Sequence, residues 1–163
     1  MDVKIYIDTQ ALAVFDDNGR LIKRYAVSTA KNGVGEQFGS YRTPRGRHYI
    51  RAKIGAGKPY AAVFRGRRWT NEVCTDALFA AQPDRDWILS RILWLCGKEP
   101  GVNRLGQVDT FRRFVYIHGT PDAVPVGGPP LSHGCVRMRN ADMIELFDLL
   151  PCGSDVEILE YEK

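Results

Sequence analysis

The chain has 163 residues, 44% hydrophobic and 26% charged, with a formal net charge of +4. That length fits one domain, able to bury about two-thirds of its unfolded surface without metals or disulfides, and the composition excludes a disordered or fibrous protein. The positive excess is too modest to argue for nucleic acid. "KPYAAVFRGRRWTN" does interleave Lys58, Arg65, Arg67 and Arg68 with Tyr60, Phe64 and Trp69, but no RNP, KH or helix-turn-helix pattern accompanies it.

In chain order, Val3, Ile5 and Ile7 alternate with Asp2, Lys4, Tyr6 and Asp8, the period of a strand. Those charges also leave no uninterrupted apolar segment and no cleavage site of an export signal, so a cytoplasmic protein is expected. A run with Leu12 and Val14 leads to "DDNGR", whose Asn18-Gly19 pair signals a hairpin into "LIKRYAVST". "RHYIRAKI", with His48 as an ordinary strand histidine, "YAAVF", "RFVYIHG" and "DVEIL" continue the strand-like runs. "DRDWILSRILWL" predicts a helix from apolar residues at 88, 92 and 95 with Gly97 beyond. "ADMIELFDLL" predicts another, with Asn140 as N-cap and Pro151 past its end. The run around "WILSRILWLC" is broken by Arg91 and is shorter than the ~20 residues a bilayer requires, so no membrane partner is expected. The expected fold is mostly β with a few helices (α+β), in one domain, as a monomer.

The cysteines, Cys74, Cys96, Cys135 and Cys152, form no CxxC pair, and in a reducing compartment they suggest no disulfide framework. Cys74, Cys96 and Cys152 read as buried small hydrophobes. Cys135 differs. It lies in "VYIHGTPDAVPVGGPPLSHGCVRMRN", where two of the three histidines of the chain, His118 and His133, stand near it. A free thiol is only a few per cent thiolate at neutral pH, so a catalytic cysteine needs a base or a cationic neighbour. His118 ends an alternating run, where a rigid strand can aim its ring. The proline-rich loop "TPDAVPVGGPP" then returns the chain to Cys135. The predicted helix after it would favour thiolate through the positive end of its dipole. The N–H groups of Gly134 and Cys135 are candidates for an oxyanion hole, with His133 as a positioning residue. Zinc on His118, His133 and Cys135 would lack a further ligand at the usual spacing, so neither a metal nor any other cofactor is expected.

These residues carry a resemblance. His118-Gly119, a loop, then Ser132-His133-Gly134-Cys135-Val136-Arg137 resembles the signature of the L,D-transpeptidase catalytic domain, the YkuD-like family of peptidoglycan enzymes. "IDTQALAVFDDNGRLIKRYAVSTAK" is similar to the opening hairpin of the family, Thr43-Pro44-Arg45-Gly46 to its Thr-Pro-x-Gly turn, and "RNADMIELFDLLPCGSDVEI" to its closing helix and strand. Nearly the whole of 1–163 is covered, except a partly helical insertion at about 55–106.

The resemblance implies a curved β-sandwich with the active-site cysteine next to a helix. It implies Cys135 as nucleophile and His118 as general base, oriented by a backbone carbonyl, that of Gly119. Some members have Asn where this chain has Arg137, and Arg suits bidentate binding of a substrate carboxylate. Ser132, Tyr116, Arg112 and Arg113 complete the expected substrate side, with Arg139 flanking it. The implied partners are peptidoglycan stem peptides or muropeptides, cleaved between an L-centre and D-alanine through a thioester. The absent export signal favours an L,D-carboxypeptidase that removes terminal D-alanine from murein tetrapeptides. The alternative is an L,D-transpeptidase that forms 3,3 crosslinks or exchanges D-amino acids. The 55–106 segment, with Trp69, Trp87 and Trp94, is expected to act as a lid.

Overall fold

The computed structural model describes residues 1–163. It is mostly β with two α-helices, in a sheet curled into a half-barrel. Strands β1 (Asp2–Tyr6), β2 (Ala11–Phe15) and β3 (Leu21–Ala26) form an antiparallel meander. Its β2–β3 turn is closed by the Asp16 carboxylate, which accepts from the N–H groups of Asn18 and Arg20 at 2.9 Å each. Gly19, at φ 78°, supplies the left-handed residue that the Asn18-Gly19 signal predicts.

Further along are β4 (Gly46–Ile54), β5 (Ala62–Arg65), β6 (Arg68–Val73), helix α1 (Asp76–Ala81) and β7 (Ile88–Gly97). Then come β8 (Tyr116–Thr120), β9 (Val136–Arg139), helix α2 (Asn140–Leu149) and β10 (Asp155–Leu159). The main strand order is β3-β2-β1-β10-β4-β7-β5-β6, with β8 paired to β7 and β9 to β8. β10 pairs in parallel with β1, joining the two ends of the chain in one ladder.

The segment read as a helix over residues 84–95 is instead a turn followed, from Ile88, by most of β7. Its apolar residues fit a helical period, but the run is apolar almost throughout, which is also how a strand buried on both faces reads. Leu89, Ile92, Leu93 and Leu95 are all fully buried. β7 pairs with β4 and β5 along one edge and with β8 on the other. The register against β8 slips between Leu89 and Ile92, where Ser90 adopts φ 70°. This bulge turns the Ser90 hydroxyl to accept from Ala61 N at 3.0 Å and donate to Asn140 Oδ1 at 2.6 Å.

Helix α2 forms where its sequence predicts, but Asn140 is its first residue and does not cap it. The Asn140 amide donates to Thr120 O at 2.9 Å and to Asp122 Oδ1 at 3.0 Å, while its carbonyl receives Ser90. One buried side chain thus ties the helix to the ends of β7 and β8. α2 lies across β7, β8 and β9 and sends Met143, Leu146 and Phe147 into the main core, with Leu150 just beyond its end. The same core takes Val3, Ile5, Leu12, Val14, Ile50, Ile117, Val136 and Ile158 from the strands.

Of the three cysteines expected in the core, only Cys96 is buried; Cys74 is half-buried and Cys152 is exposed in the turn after α2. No helix is long and apolar enough to cross a membrane. Replacing Asn140 with Ala leaves the Thr120 carbonyl and the Ser90 hydroxyl without their partner, so a loss of about 2 kcal/mol is expected. Urea unfolding checks it, with an unchanged m-value.

Candidate active site

The site begins with the pairing of β8 and β9. They run parallel, with Ile117 opposite Val136 and His118 opposite Arg137. Cys135, one residue before β9, is thereby brought beside Tyr116. The Tyr116 N–H donates to Cys135 Sγ at 3.3 Å, and the thiol approaches Phe114 O at 3.4 Å. His118 is buried on β8, and its Nδ1 lies 2.6 Å from Gly119 O. A carbonyl only accepts, so Nδ1 carries the proton and the lone pair of the neutral ring is at Nε2. No carboxylate contacts the imidazole.

The Ser132–Cys135 turn is braced from several sides. Ser132 Oγ accepts from Gly134 N at 3.1 Å and donates to Cys135 O. Thr43, in the Thr-Pro-Arg-Gly turn, accepts from Ala30 N at 3.0 Å and donates to Gly134 O at 2.9 Å. Ser132 N bonds Thr29 O and Lys31 N bonds Ser132 O, both at 2.9 Å. Gly134 sits at φ 135°, a conformation that a side chain would strain. The expected two-donor oxyanion hole is therefore half occupied. The Gly134 N–H is committed to Ser132, whereas the Cys135 N–H makes no hydrogen bond within the chain. Ser132 thus acts on the backbone of the turn.

Cys135 and His118 open onto a cavity of 460 Å³. Tyr116, Ser132, His133, Gly134, Arg113 and Arg137 also line it. Arg112 does not: its exposed side chain lies outside, and its backbone N–H caps Asp109 at 3.0 Å. Arg139 is exposed and also outside. Arg113 holds the 35–42 loop, donating to Gly35 O at 3.2 Å, Ser40 Oγ at 3.2 Å and Arg42 O at 2.6 Å. His133 is exposed, its ring edge-on to Tyr41 at 6.4 Å.

Of Arg65, Arg67 and Arg68, which the sequence suggests for a rim, only Arg67 lines the cavity, and several lining residues escape the sequence reading: Phe38, Tyr41, Asp86 and Phe114. Arg67 reaches in from the β5–β6 hairpin. It donates to Tyr116 Oη at 3.1 Å, with its guanidinium over Trp94 and Phe114 at 5.0 and 4.8 Å. Gly66 and Arg67, at φ 54° and 64°, form the two-residue loop between paired Arg65 and Arg68. A glycine between strand-like runs is the signal that could have found that turn. Tyr41 and Phe114 also have positive φ, so the rim of the cavity collects strained backbone. Residues 55–106 therefore contribute a rim through Gly66, Arg67, Asp86 and Ile88. Trp94 packs behind it, stacked on Phe111 at 4.0 Å.

Burial dominates the electrostatics. It pushes the Cys135 thiol up to about 11 against the Tyr116 N–H and the Arg137 and Arg113 charges, with Asp86 adding to the rise. It pushes His118 down to about 4, opposed by the bond to Gly119 O. At neutral pH the pair is thus thiol and imidazole, with Nε2 the basic nitrogen of the ring. The thiolate expected from a helix dipole does not arise, because the whole of β9, roughly 13 Å of strand, separates Cys135 from α2. No group of three or more His, Cys, Asp or Glu side chains is placed to hold a metal.

The family model for the L,D-transpeptidase catalytic domain (YkuD) matches residues 2–158, and the chain belongs to that family. Solved structures agree in fold. An L,D-transpeptidase from Xylanimonas cellulosilytica superposes with a TM-score of 0.54 at 22% identity, over 96% of this chain and 59% of that one. One from Mycobacterium smegmatis gives 0.55 at 18%, over 96% and 57%. L,D-transpeptidase 3 from Mycobacterium tuberculosis gives 0.57 at 15%, over 97% and 60%. The chain thus spans three-fifths or less of the length of each. A search of curated proteins finds no match.

Two outcomes follow from these shifts. The alkylation rate of Cys135 by iodoacetamide, followed by peptide mass spectrometry, should keep rising beyond pH 9; a plateau near pH 8.5 would contradict the raised thiol. For stability the sign comes from His118 and His48, both held near 4 by burial, against 6.5 when free. On acidification the unfolded chain takes up protons that the folded chain refuses. Stability present above pH 6.5 is therefore lost as pH falls toward 4. Urea midpoints at pH 7 and pH 5 should show that loss, and His118→Gln should make it shallower.

Proposed function

We propose that the chain is a cysteine acyltransferase of peptidoglycan stem peptides, an L,D-transpeptidase. One observation carries this reading. The parallel β8–β9 register places a thiol and an imidazole on one cavity, with Nδ1 locked to Gly119 O and Nε2 left as the basic nitrogen. Cys135 Sγ attacks the carbonyl between the third residue and D-alanine, and its proton passes to His118 Nε2. The C–S bond forms as the carbonyl π electrons move to oxygen, where the Cys135 N–H stabilises the charge. Collapse breaks the C–N bond. The proton on Nε2 goes to the departing amine, D-alanine leaves, and the acyl group remains as a thioester.

An amine of a second stem peptide then takes the acyl group, giving a crosslink and restoring the thiol. Membership in the L,D-transpeptidase family and the L,D-transpeptidase neighbours support this acceptor over water. The carboxypeptidase expected from the sequence shares the acylation half and differs only in its second step. Cytoplasmic location, on which that expectation rests, bears on which acceptor the enzyme meets and not on the first step.

Incubation with disaccharide-tetrapeptide, followed by product masses, tests the reading. Dimers lacking one D-alanine are expected to dominate; tripeptide alone would make the enzyme a hydrolase, and no D-alanine release would defeat the proposal. Cys135→Ala should abolish turnover while leaving the protein folded. His118→Gln should lower the acylation rate by ~10²-fold or more.

A further inference from the structure

Two backbone groups hold the nucleophile. The Tyr116 N–H donates to Cys135 Sγ at 3.3 Å, and Phe114 O, which can only accept, takes the thiol proton at 3.4 Å. Rotation about the Cβ–Sγ bond moves that proton and leaves the sulfur in place, so residues 114 and 116 set where the sulfur sits. Neither position is secured by a regular strand alone. Tyr116 is the first residue of β8, and Phe114, two residues earlier, is half exposed at φ 56°. A left-handed phenylalanine persists only where its surroundings hold it. The side chains of both residues meet one group, the guanidinium of Arg67. It donates to Tyr116 Oη at 3.1 Å and lies 4.8 Å from the centre of the Phe114 ring and 5.0 Å from that of Trp94. Trp94 closes the cluster, edge-on to Tyr116 at 5.7 Å and tilted against Phe114 at 6.0 Å. The neighbours of Arg67 do nothing comparable: Arg65 and Arg68, paired across the base of the loop, are exposed and lie outside the cavity. The loop itself has two residues, Gly66 and Arg67, both at positive φ, so its tip is fixed and Arg67 accepts backbone strain to reach the rings.

We propose that Arg67 is a positioning residue for the nucleophile: by gripping the side chains of Phe114 and Tyr116 it fixes the backbone N–H and carbonyl between which Cys135 Sγ rests. The inference rests on the acyltransfer reading above and adds to it a residue that lies outside both His118 and the Ser132–Arg137 run, on a hairpin distant in sequence. Arg67 acts through packing. The charges that favour the Cys135 thiolate belong to Arg137 and Arg113, with Asp86 opposing them; His118, His133, Tyr41 and Tyr116 are the other titratable groups on that cavity. A planar guanidinium suits this task, because it stacks on rings and donates in its own plane at the same time, which an ammonium cannot do.

Arg67→Lys tests this, since it keeps the charge and removes the planar stack. Two rates should move in opposite directions. Formation of the Cys135 acyl-enzyme from disaccharide-tetrapeptide should slow by ~10-fold at saturating donor, with the half-saturating concentration little changed, as for a displaced reacting atom. Alkylation of Cys135 by iodoacetamide at pH 8 should instead quicken by about threefold, because a loosened cluster admits water to a thiol that burial keeps protonated. The Tyr116 amide proton, followed by NMR, should shift upfield as its bond to sulfur lengthens. Tyr116→Phe removes the same hydrogen bond from the other side and should give the same opposed pair of changes, and the double variant should lose less than the product of the two single losses. Wild-type rates in Arg67→Lys would overturn the proposal, as would fully multiplicative losses. A raised half-saturating concentration with unchanged alkylation would make Arg67 a substrate contact instead. A fall in both rates with a lower urea midpoint would reduce it to a structural residue. If wild-type enzyme forms no acyl-enzyme with any stem-peptide donor, the acyltransfer reading fails, while the alkylation rate and the Tyr116 resonance still decide whether Arg67 holds the sulfur.

Discussion

The parallel pairing of β8 with β9 is the constraint on which the site depends. It sets Ile117 against Val136 and His118 against Arg137, and so carries Cys135 to the Tyr116 N–H. Parallel strands need a long connection, and the proline-rich loop after Thr120 provides it without a helix. A slip of one residue would reverse which side chains face the core, and Ile117, Val136 and Met138, all fully buried, oppose it. The rest of the molecule braces this register. β7 supports β8 from the other edge, α2 covers β8 and β9, and Asn140 joins them at one end. Thr43 and Ser132 hold the turn before Cys135.

Burial then decides the chemistry. Taking a thiol and an imidazole out of water disfavours the charged form of each, so they rest neutral, and Gly119 O selects which nitrogen is bare. The reacting pair does not rely on a carboxylate or a helix dipole. Arg137 and Arg113 favour thiolate from a distance, and Asp86 opposes them. The balance suits a nucleophile that ionises only as its proton moves, which limits side reactions of an exposed thiolate.

Much of this is legible in the sequence because it is local. Asn18-Gly19 announces its hairpin, the alternating runs announce β1, β4 and β8, and Ser-His-Gly-Cys after His-Gly announces the family. What depends on tertiary context is not legible. β7 reads as a helix because full burial removes the alternation that marks a strand. Asn140 looks like a cap, yet it is recruited by Ser90 and Thr120, which are distant in sequence. Arg112 and Arg113 are neighbours of the same type, but only Arg113 turns into the cavity. Phe38, Tyr41 and Asp86 reach the site from separate turns, and no spacing rule links them to Cys135.

The central claim is that His118 rests as a neutral imidazole protonated on Nδ1. Nitrogen-15 NMR of the histidine rings in the folded protein tests it directly. The His118 signals should show a protonated Nδ1 and a bare Nε2 at pH 7, unchanged down to about pH 5. An imidazolium at pH 7, or the opposite tautomer, would contradict the account.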